Sequence, residues 1–320
     1  MKKFPIATAV IFASVVCSVT AKAQEKMKMD ANNNKANKFA PLDIATIERV
    51  TGKKGKENNG EYKITIPQND LNVVVDGFKI IPPMGLGAWA AFTPSAEGAM
   101  VMGDIILTED DVKPVQQAAI GAGLIISAIH NHFIRNHPNI VYMHVGGSGK
   151  TEDMAQKIKA VFDAVQSSRG HNPAEGKADS VVTTIDAKIL DGILGNKGEW
   201  SKGVYKYTIG RPDVKLIEHG VTITTFFGFN TWAAWQGTPD HAAVAGDFTM
   251  LENEVAPVIK ALIENGIEVV AVHNHMVHEQ PRIFFLHYWG VGNAEQLAKG
   301  LKTALDQTGK GKSAGMKMKM

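Results

Sequence analysis

The chain has 320 residues, 44% hydrophobic and 21% charged, with 31 Gly, 13 Pro and a single Cys. This composition suits a globular protein of one or two domains and excludes a chain disordered throughout, a disulfide-built scaffold and a cysteine-held zinc site. With 34 Lys and Arg against 32 Asp and Glu, it lacks the basic excess of a nucleic-acid binder, and any metal must be held by His, carboxylate or Met.

From the N-terminus, residues 1–23 read as a secretory signal: Lys2 and Lys3 form a basic start, Ile6 to Val19 an apolar stretch, and Ala21-Lys22-Ala23 a cleavage pattern before Gln24. Cys17 lies inside this segment behind Val15-Val16, a poor match for lipid attachment, so lipoprotein anchoring is the weaker expectation. No later stretch approaches the ~20 apolar residues of a membrane helix. The expected mature protein is therefore exported, periplasmic or secreted, without an integral membrane segment. Losing Lys2, Lys3 and Lys22 leaves 31 basic residues against 32 acidic ones, a net charge near −1. Residues 24–41 and 309–320, which carry Met-Lys-Met runs, are low in complexity and expected to be a disordered linker and a basic tail.

Between these ends the pattern predicts a short helix over Thr46–Thr51, a strand over Glu61–Ile66, a strand pair over Phe78–Ile81 and Ala88–Phe92, and a further strand over Ala99–Leu107. Thr108 with Asp111 is a capping pattern, and Pro114 falls early enough to be tolerated, so a helix follows to Gly121 and ends at Gly123. Leu124–Phe133 and Ile140–Val145 read as strands joined by a turn over Arg135–Asn139, and Thr151–Val165 as an amphipathic helix. The same elements recur at Glu252–Asn265, Ile267–Val277, Ile283–Trp289 and Asn293–Asp306.

The recurrence is a duplication. Gly77 to His144 aligns without a gap on Gly220 to His287 at a shift of about 143 residues, and roughly a third of the positions are identical. Trp89-Ala90-Ala91 matches Trp232-Ala233-Ala234, Gly103-Asp104 matches Gly246-Asp247, and His130-Asn131-His132 matches His273-Asn274-His275. The organisation predicted is one repeat over 42–166, a linker over 167–184 and a second repeat over 185–308. The fold class is α+β, a tandem duplication in which each half is an antiparallel sheet with helices packed on one face.

His130, His132 and His144, and His273, His275 and His287, form two equivalent sets. His-x-His on a strand places both imidazoles on one face. If the hairpins fold symmetrically about Pro138 and Pro281, His132 faces His144 and His275 faces His287, giving three convergent imidazoles per half. Such a set with an open fourth position suits a divalent metal, with zinc favoured and copper the alternative. Asp104, Asp247 and Glu279 are candidate fourth ligands or bases for a metal-activated water. Trp89, Trp232 and Trp235 are candidates for lining a pocket. Gly146-Gly147-Ser148-Gly149-Lys150-Thr151 has the look of a phosphate-binding loop but holds His144 where the first Gly belongs, and is set aside. Val145-Gly146 corresponds to Tyr288-Trp289, and His278 and Glu279, which replace Arg135 and Asn136, offer the second site extra ligands or a base that the first lacks, so the second half is expected to bind metal more tightly and carry any catalysis.

The duplicated Trp-Ala-Ala, Gly-Asp and His-Asn-His pattern behind a signal peptide resembles the bacterial family of unknown function DUF1259, also called LppY/LpqO, over about residues 40–307. The resemblance implies membership but no catalytic residues, because the family has no established activity. The functional expectation is an exported, metal-binding duplicated protein with a His cluster in each half, taking a small-molecule or metal ligand and no nucleic acid. The alternative is a metal-dependent hydrolase.

Overall fold

The computed structural model describes residues 39–309. The expected signal segment 1–23, most of the 24–41 linker and nearly all of the 309–320 tail lie outside the described residues. The first half runs α1 (Ile44–Thr51), β1 (Lys56–Asn58), β2 (Glu61–Pro67), β3 (Gly87–Ser95), β4 (Gly98–Thr108), α2 (Glu109–Gly121), β5 (Ile125–His130), β6 (Ile140–Gly149) and α3 (Thr151–Arg169). The second runs α4 (Ala187–Leu194), β7 (Glu199–Ser201), β8 (Val204–Gly210), β9 (Asn230–Gly237), β10 (Ala242–Leu251), α5 (Glu252–Glu264), β11 (Glu268–His273), β12 (Ile283–Gly292) and α6 (Ala294–Leu305). Each half folds into a six-stranded sheet, ordered β1-β2-β3-β4-β6-β5 and β7-β8-β9-β10-β12-β11, with every pair antiparallel. The predicted duplication and fold class are what the chain adopts.

Local chemistry explains the elements. Asp43 and Asp186 cap α1 and α4 by accepting from the backbone N–H of Thr46 and Lys188. Asp111 accepts from Thr108 N at 2.8 Å at the start of α2, and Glu254 does the same for Leu251 N at 2.8 Å at the start of α5. Along β4 the side chains alternate: Val101 and Ile105 join the helix-side core with Val115, Ile158 and Val161, while Met100 and Met102 pack on the other face. Gly146 to Ser148 are strand residues paired with Met102, Val101 and Met100, so the phosphate-loop look-alike forms no loop.

The helix-free faces of the two sheets are buried against each other, and each half contributes a loop that closes the other. Val73, Val75, Ile80 and Met84, from the β2–β3 connection, pack with Ala234, Ala243, Ala245 and Trp289 of the second sheet. Leu216, Ile223, Phe227 and Phe229, from the β8–β9 connection, pack reciprocally on Ala91, Met100 and Met102. Gly85 and Gly228 hold equivalent places in these loops at φ +109° and +111°, and a Cβ would lie 3.4 Å from the Trp232 ring and 3.2 Å from the Trp89 ring respectively. Glycine meets both demands, a left-handed backbone and close approach to an indole of the opposite half.

One expected pairing is corrected. Phe78–Lys79 pairs with Val74–Val75 rather than with Ala88–Phe92, and Val74–Val75 also pairs with Asn136–His137 in a separate three-stranded sheet. The turn segment Arg135–Asn139 is thus partly a strand, recruited by a loop that no local pattern connects to it.

Candidate metal centre

The registers assemble the site. Trp89 on β3, Asp104 on β4 and His144 on β6 lie in one cross-strand row, and Trp232, Asp247 and His287 form the equivalent row. The glycine before each aspartate is required by that row: a Cβ at Gly103 would lie 2.9 Å from the Trp89 carbonyl, and one at Gly246 only 2.2 Å from that of Trp232. The Gly103 and Gly246 carbonyls lie 3.1 Å from Nδ1 of His144 and His287. Nδ1 of each ring is thereby the donor, which leaves Nε2 with a free lone pair.

His130 and His273 are the last residues of β5 and β11, paired with Tyr142 and Phe285. This corrects the expected register: His144 stands opposite Ala128 rather than His132, and His287 opposite Ala271 rather than His275. A bulge in each edge strand and a long connection shift each hairpin by four residues relative to symmetric turns at Pro138 and Pro281. The shift is even, so the histidines keep their common face. His132 and His275 lie beyond the strand ends, stacked on Tyr142 at 3.4 Å and on Phe285 at 3.3 Å between ring centroids. Their Nε2 atoms lie 3.4 Å from Asp104 Oδ2 and 3.5 Å from Asp247 Oδ2.

Because the helix-free faces meet, the six imidazoles form one cluster shared by the halves instead of two separate triads. His130 stacks on His273 at 3.9 Å, His132 lies 3.7 Å from His287, and His144 lies 4.0 Å from His275. Among the described residues, three sets place one ligand atom per residue within 4.8 Å of the others: His130 with His273 and His287; His144 with His273 and His275; and Asp104 with His130 and His144. Two of the three mix the halves.

The electrostatics favour lone pairs. All six histidines are 1–7% exposed. Burial pushes each imidazole below its ordinary value, furthest for His130, His273, His275 and His287, which keeps those four neutral. Both ring nitrogens of His130, His132 and His273, Nδ1 of His275, and Nε2 of His144 and His287 are buried without a hydrogen-bond partner. Leaving so many buried nitrogens unpaired costs about 1–3 kcal/mol each, a cost that a coordinated cation removes. The two aspartates differ. Burial pushes Asp104 up, but His144 and His132 outweigh it and hold the carboxyl below its ordinary range; at Asp247 burial wins and pushes it well above.

The other predicted residues divide. Trp89 and Trp232 flank the cluster, 6.5 Å from His144 and 6.3 Å from His132 between ring centroids. Trp235 does not: it is fully buried in the helix-side core of the second half with Leu190 and Leu262, because three residues along a strand reverse the face. Glu279 is buried in the turn before β12, where Oε1 accepts from Arg282 and from Ile283 N, and it belongs to none of the three ligand sets. His278 lies against His219 rather than the cluster.

Two residues escaped the sequence reading. Lys63 and Lys206 hold equivalent strand positions, each with its ammonium over the neighbouring indole, 4.4 Å from Trp89 and 4.3 Å from Trp232. Burial pushes both down to about 8. The repeated Tyr-Lys step, Tyr62-Lys63 and Tyr205-Lys206, was the available signal.

No curated protein matches the chain. Among solved structures, a trimeric bacterial microcompartment shell protein, PduB, is similar at 9% identity over 79% of this chain and 88% of its own, with a TM-score of 0.18. EtuB from Clostridium kluyveri is similar at 8% identity over 80% and 89%, with a TM-score of 0.19. Likenesses that weak carry no argument. The repeat seen in the fold has a direct counterpart in a family model described as Domain of Unknown Function (DUF1259), which matches at residues 45–164 and again at 188–307, and the chain belongs to that family as a tandem duplication of its domain.

Proposed function

We propose that this chain is an exported metal-binding protein with one histidine-rich centre built jointly by its two halves. The observation that carries the reading is the convergence of six buried imidazoles, each with at least one ring nitrogen that lacks a hydrogen-bond partner. An all-imidazole set with nearby carboxylates suits zinc first and copper second. Metal analysis of untagged protein is the test: metal bound per chain, lost on chelation and lost together from both halves, supports the reading, and protein that takes up neither zinc nor copper refutes it. Export rests on the leader-like residues 1–23, and a mature N-terminus at Gln24 in an extracytoplasmic fraction is the expected result.

A metal-dependent hydrolase is the second reading, favoured by the two carboxylates beside the imidazoles, Asp104 Oδ2 at 3.4 Å from His132 and Asp247 Oδ2 at 3.5 Å from His275. A divalent metal among these imidazoles would supply Lewis-acid chemistry. Asp104 has a buried Oδ1 without a hydrogen-bond partner, which is free to accept a proton. Phosphoester, ester and amide substrates assayed with the wild type and Asp104→Asn distinguish this from storage or carriage.

A further inference from the structure

The duplication left one inter-sheet pocket open and closed its twin. A cavity of about 310 Å³ lies between the first sheet and the loop that the second half lays over it. Met100, Met102, Phe227 and Met276 form its apolar walls, Gly146 leaves its space free, and His275 of the metal centre lines it at one end. At the place equivalent to Gly146 the second half carries Trp289. That indole packs edge-on against Phe133 at 5.4 Å and Phe78 at 6.3 Å, and its N–H donates to Asp76 at 2.9 Å. The protein therefore shows which shape its own pocket accepts: a flat aromatic ring system with an N–H directed at a carboxylate.

The open pocket has an acceptor of its own: the position equivalent to Asp76 is His219, and the residue before it supplies the carboxylate. Glu218, with a side chain only 8% exposed, lines it, and Oε2 is buried without a partner. Its Oε1 lies 3.7 Å from His219. An unpaired buried carboxylate oxygen is costly, and a donor on a bound molecule would satisfy it. Glu97 at the same cavity adds a second negative charge. Methionine walls favour an aromatic guest, since thioethers adapt to and attract ring edges, and 310 Å³ falls at the small end of ligand pockets.

From these observations we infer that the cavity is a binding site for a small aromatic amine of about indole size, whose ring takes the place that Trp289 fills in the other half and whose amine meets Glu218. The site's lining is complete without a metal, so the inference goes beyond the metal reading and does not depend on it.

The test uses chelator-treated full-length mature protein, titrated calorimetrically with tryptamine, indole and indole-3-acetate. Tryptamine is expected to bind best and indole-3-acetate worst. Glu218→Gln should weaken tryptamine by about tenfold or more while changing indole by less than about twofold, as the loss of one charge-assisted hydrogen bond requires. Gly146→Trp should abolish binding of both. The backbone at Gly146 tolerates a side chain, with the nearest atom to a Cβ 3.5 Å away; Gly146→Leu, read beside it with thermal melting, separates blockage from misfolding. Failure of tryptamine and indole to saturate the wild type would overturn the inference. So would unchanged binding in folded Gly146→Trp and Gly146→Leu, or an equal preference for the anionic indole.

Discussion

Replacing His273 by Ala and, separately, His130 by Ala is the sharpest probe of a shared centre. Each of these residues belongs to two of the three ligand sets, as does His144, whereas His275, His287 and Asp104 belong to one each and His132 and Asp247 to none. A four-ligand structural zinc site supplies about 10–16 kcal/mol of binding free energy, so one ligand accounts for roughly 3 kcal/mol, or about 100-fold in affinity. His130→Ala and His273→Ala should therefore each weaken zinc by about 100-fold, and to a similar degree, although one sits in each half. His132→Ala should weaken it by under about tenfold. Competition against a fluorescent zinc chelator measures the affinities, and plasma mass spectrometry the stoichiometry. The metal-free variants should melt close to the wild type, because the cavity left by a lost imidazole and the relief of an unpaired buried nitrogen are of similar size and opposite sign. Two independent sites of unequal strength, with His130→Ala sparing the tighter one, would refute the shared geometry.

Three further outcomes follow from the same packing. Gly246→Ala should destabilise by more than the ~1–3 kcal/mol of ordinary overpacking, since its Cβ would meet the Trp232 carbonyl at 2.2 Å and the Tyr288 hydroxyl at 2.1 Å; Gly103→Ala, at 2.9 Å from a carbonyl, should cost less, and denaturant titration ranks them. Lys206 has its folded value pushed down from 10.5 to about 8 by burial, so between those values the unfolded chain holds more protons and stability rises with pH. Lys206→Met should remove that rise and stabilise the protein below pH 8, by about 3 kcal/mol at most; a variant whose stability difference from wild type is flat from pH 7 to 10 would contradict the buried-ammonium account. Residues 42–166 expressed alone should fail to form a stable monomer, because the second half covers their helix-free sheet face; a monodisperse, cooperatively melting monomer in light scattering and calorimetry would show that the halves do not need each other.

Much of the fold was legible because its causes are local or repeated. The capping pair Thr108 and Asp111, the apolar alternation of β4 and the 143-residue recurrence each carry their consequence in neighbouring residues or in direct identity. The site was only half legible. Period-two alternation correctly put His130 and His144 on one face, and the Gly-Asp step correctly marked the row beside them. Applied one step further, the same alternation separates Trp232 from Trp235. Register was beyond reach, because it depends on a bulge and on a long hairpin connection whose residues 136–137 pair with Val75 and Val74, 61 and 63 positions away. That the two triads merge was also invisible, since nothing in either copy states which surface its helix-free face meets.

The merging explains how the copies diverged. In two identical domains packed about a twofold axis, every change at the interface appears twice, so a pocket at a symmetric centre can be closed only by closing both. Joining the copies in one chain removes that constraint. Trp289 anchors on Asp76 of the first half and closes one pocket, Gly146 keeps its equivalent open, and the cluster between them draws ligands from both. The aspartates fit the same scheme: Asp104 and Asp247 hold equivalent positions, but Asp247 accepts from Leu286 N at 3.0 Å, whereas Asp104 leaves a buried Oδ1 without a partner. Pseudo-symmetry supplies the number of imidazoles, and its breaking supplies an open side next to them, which is the division of labour that a site needs if it is to bind a molecule as well as a metal.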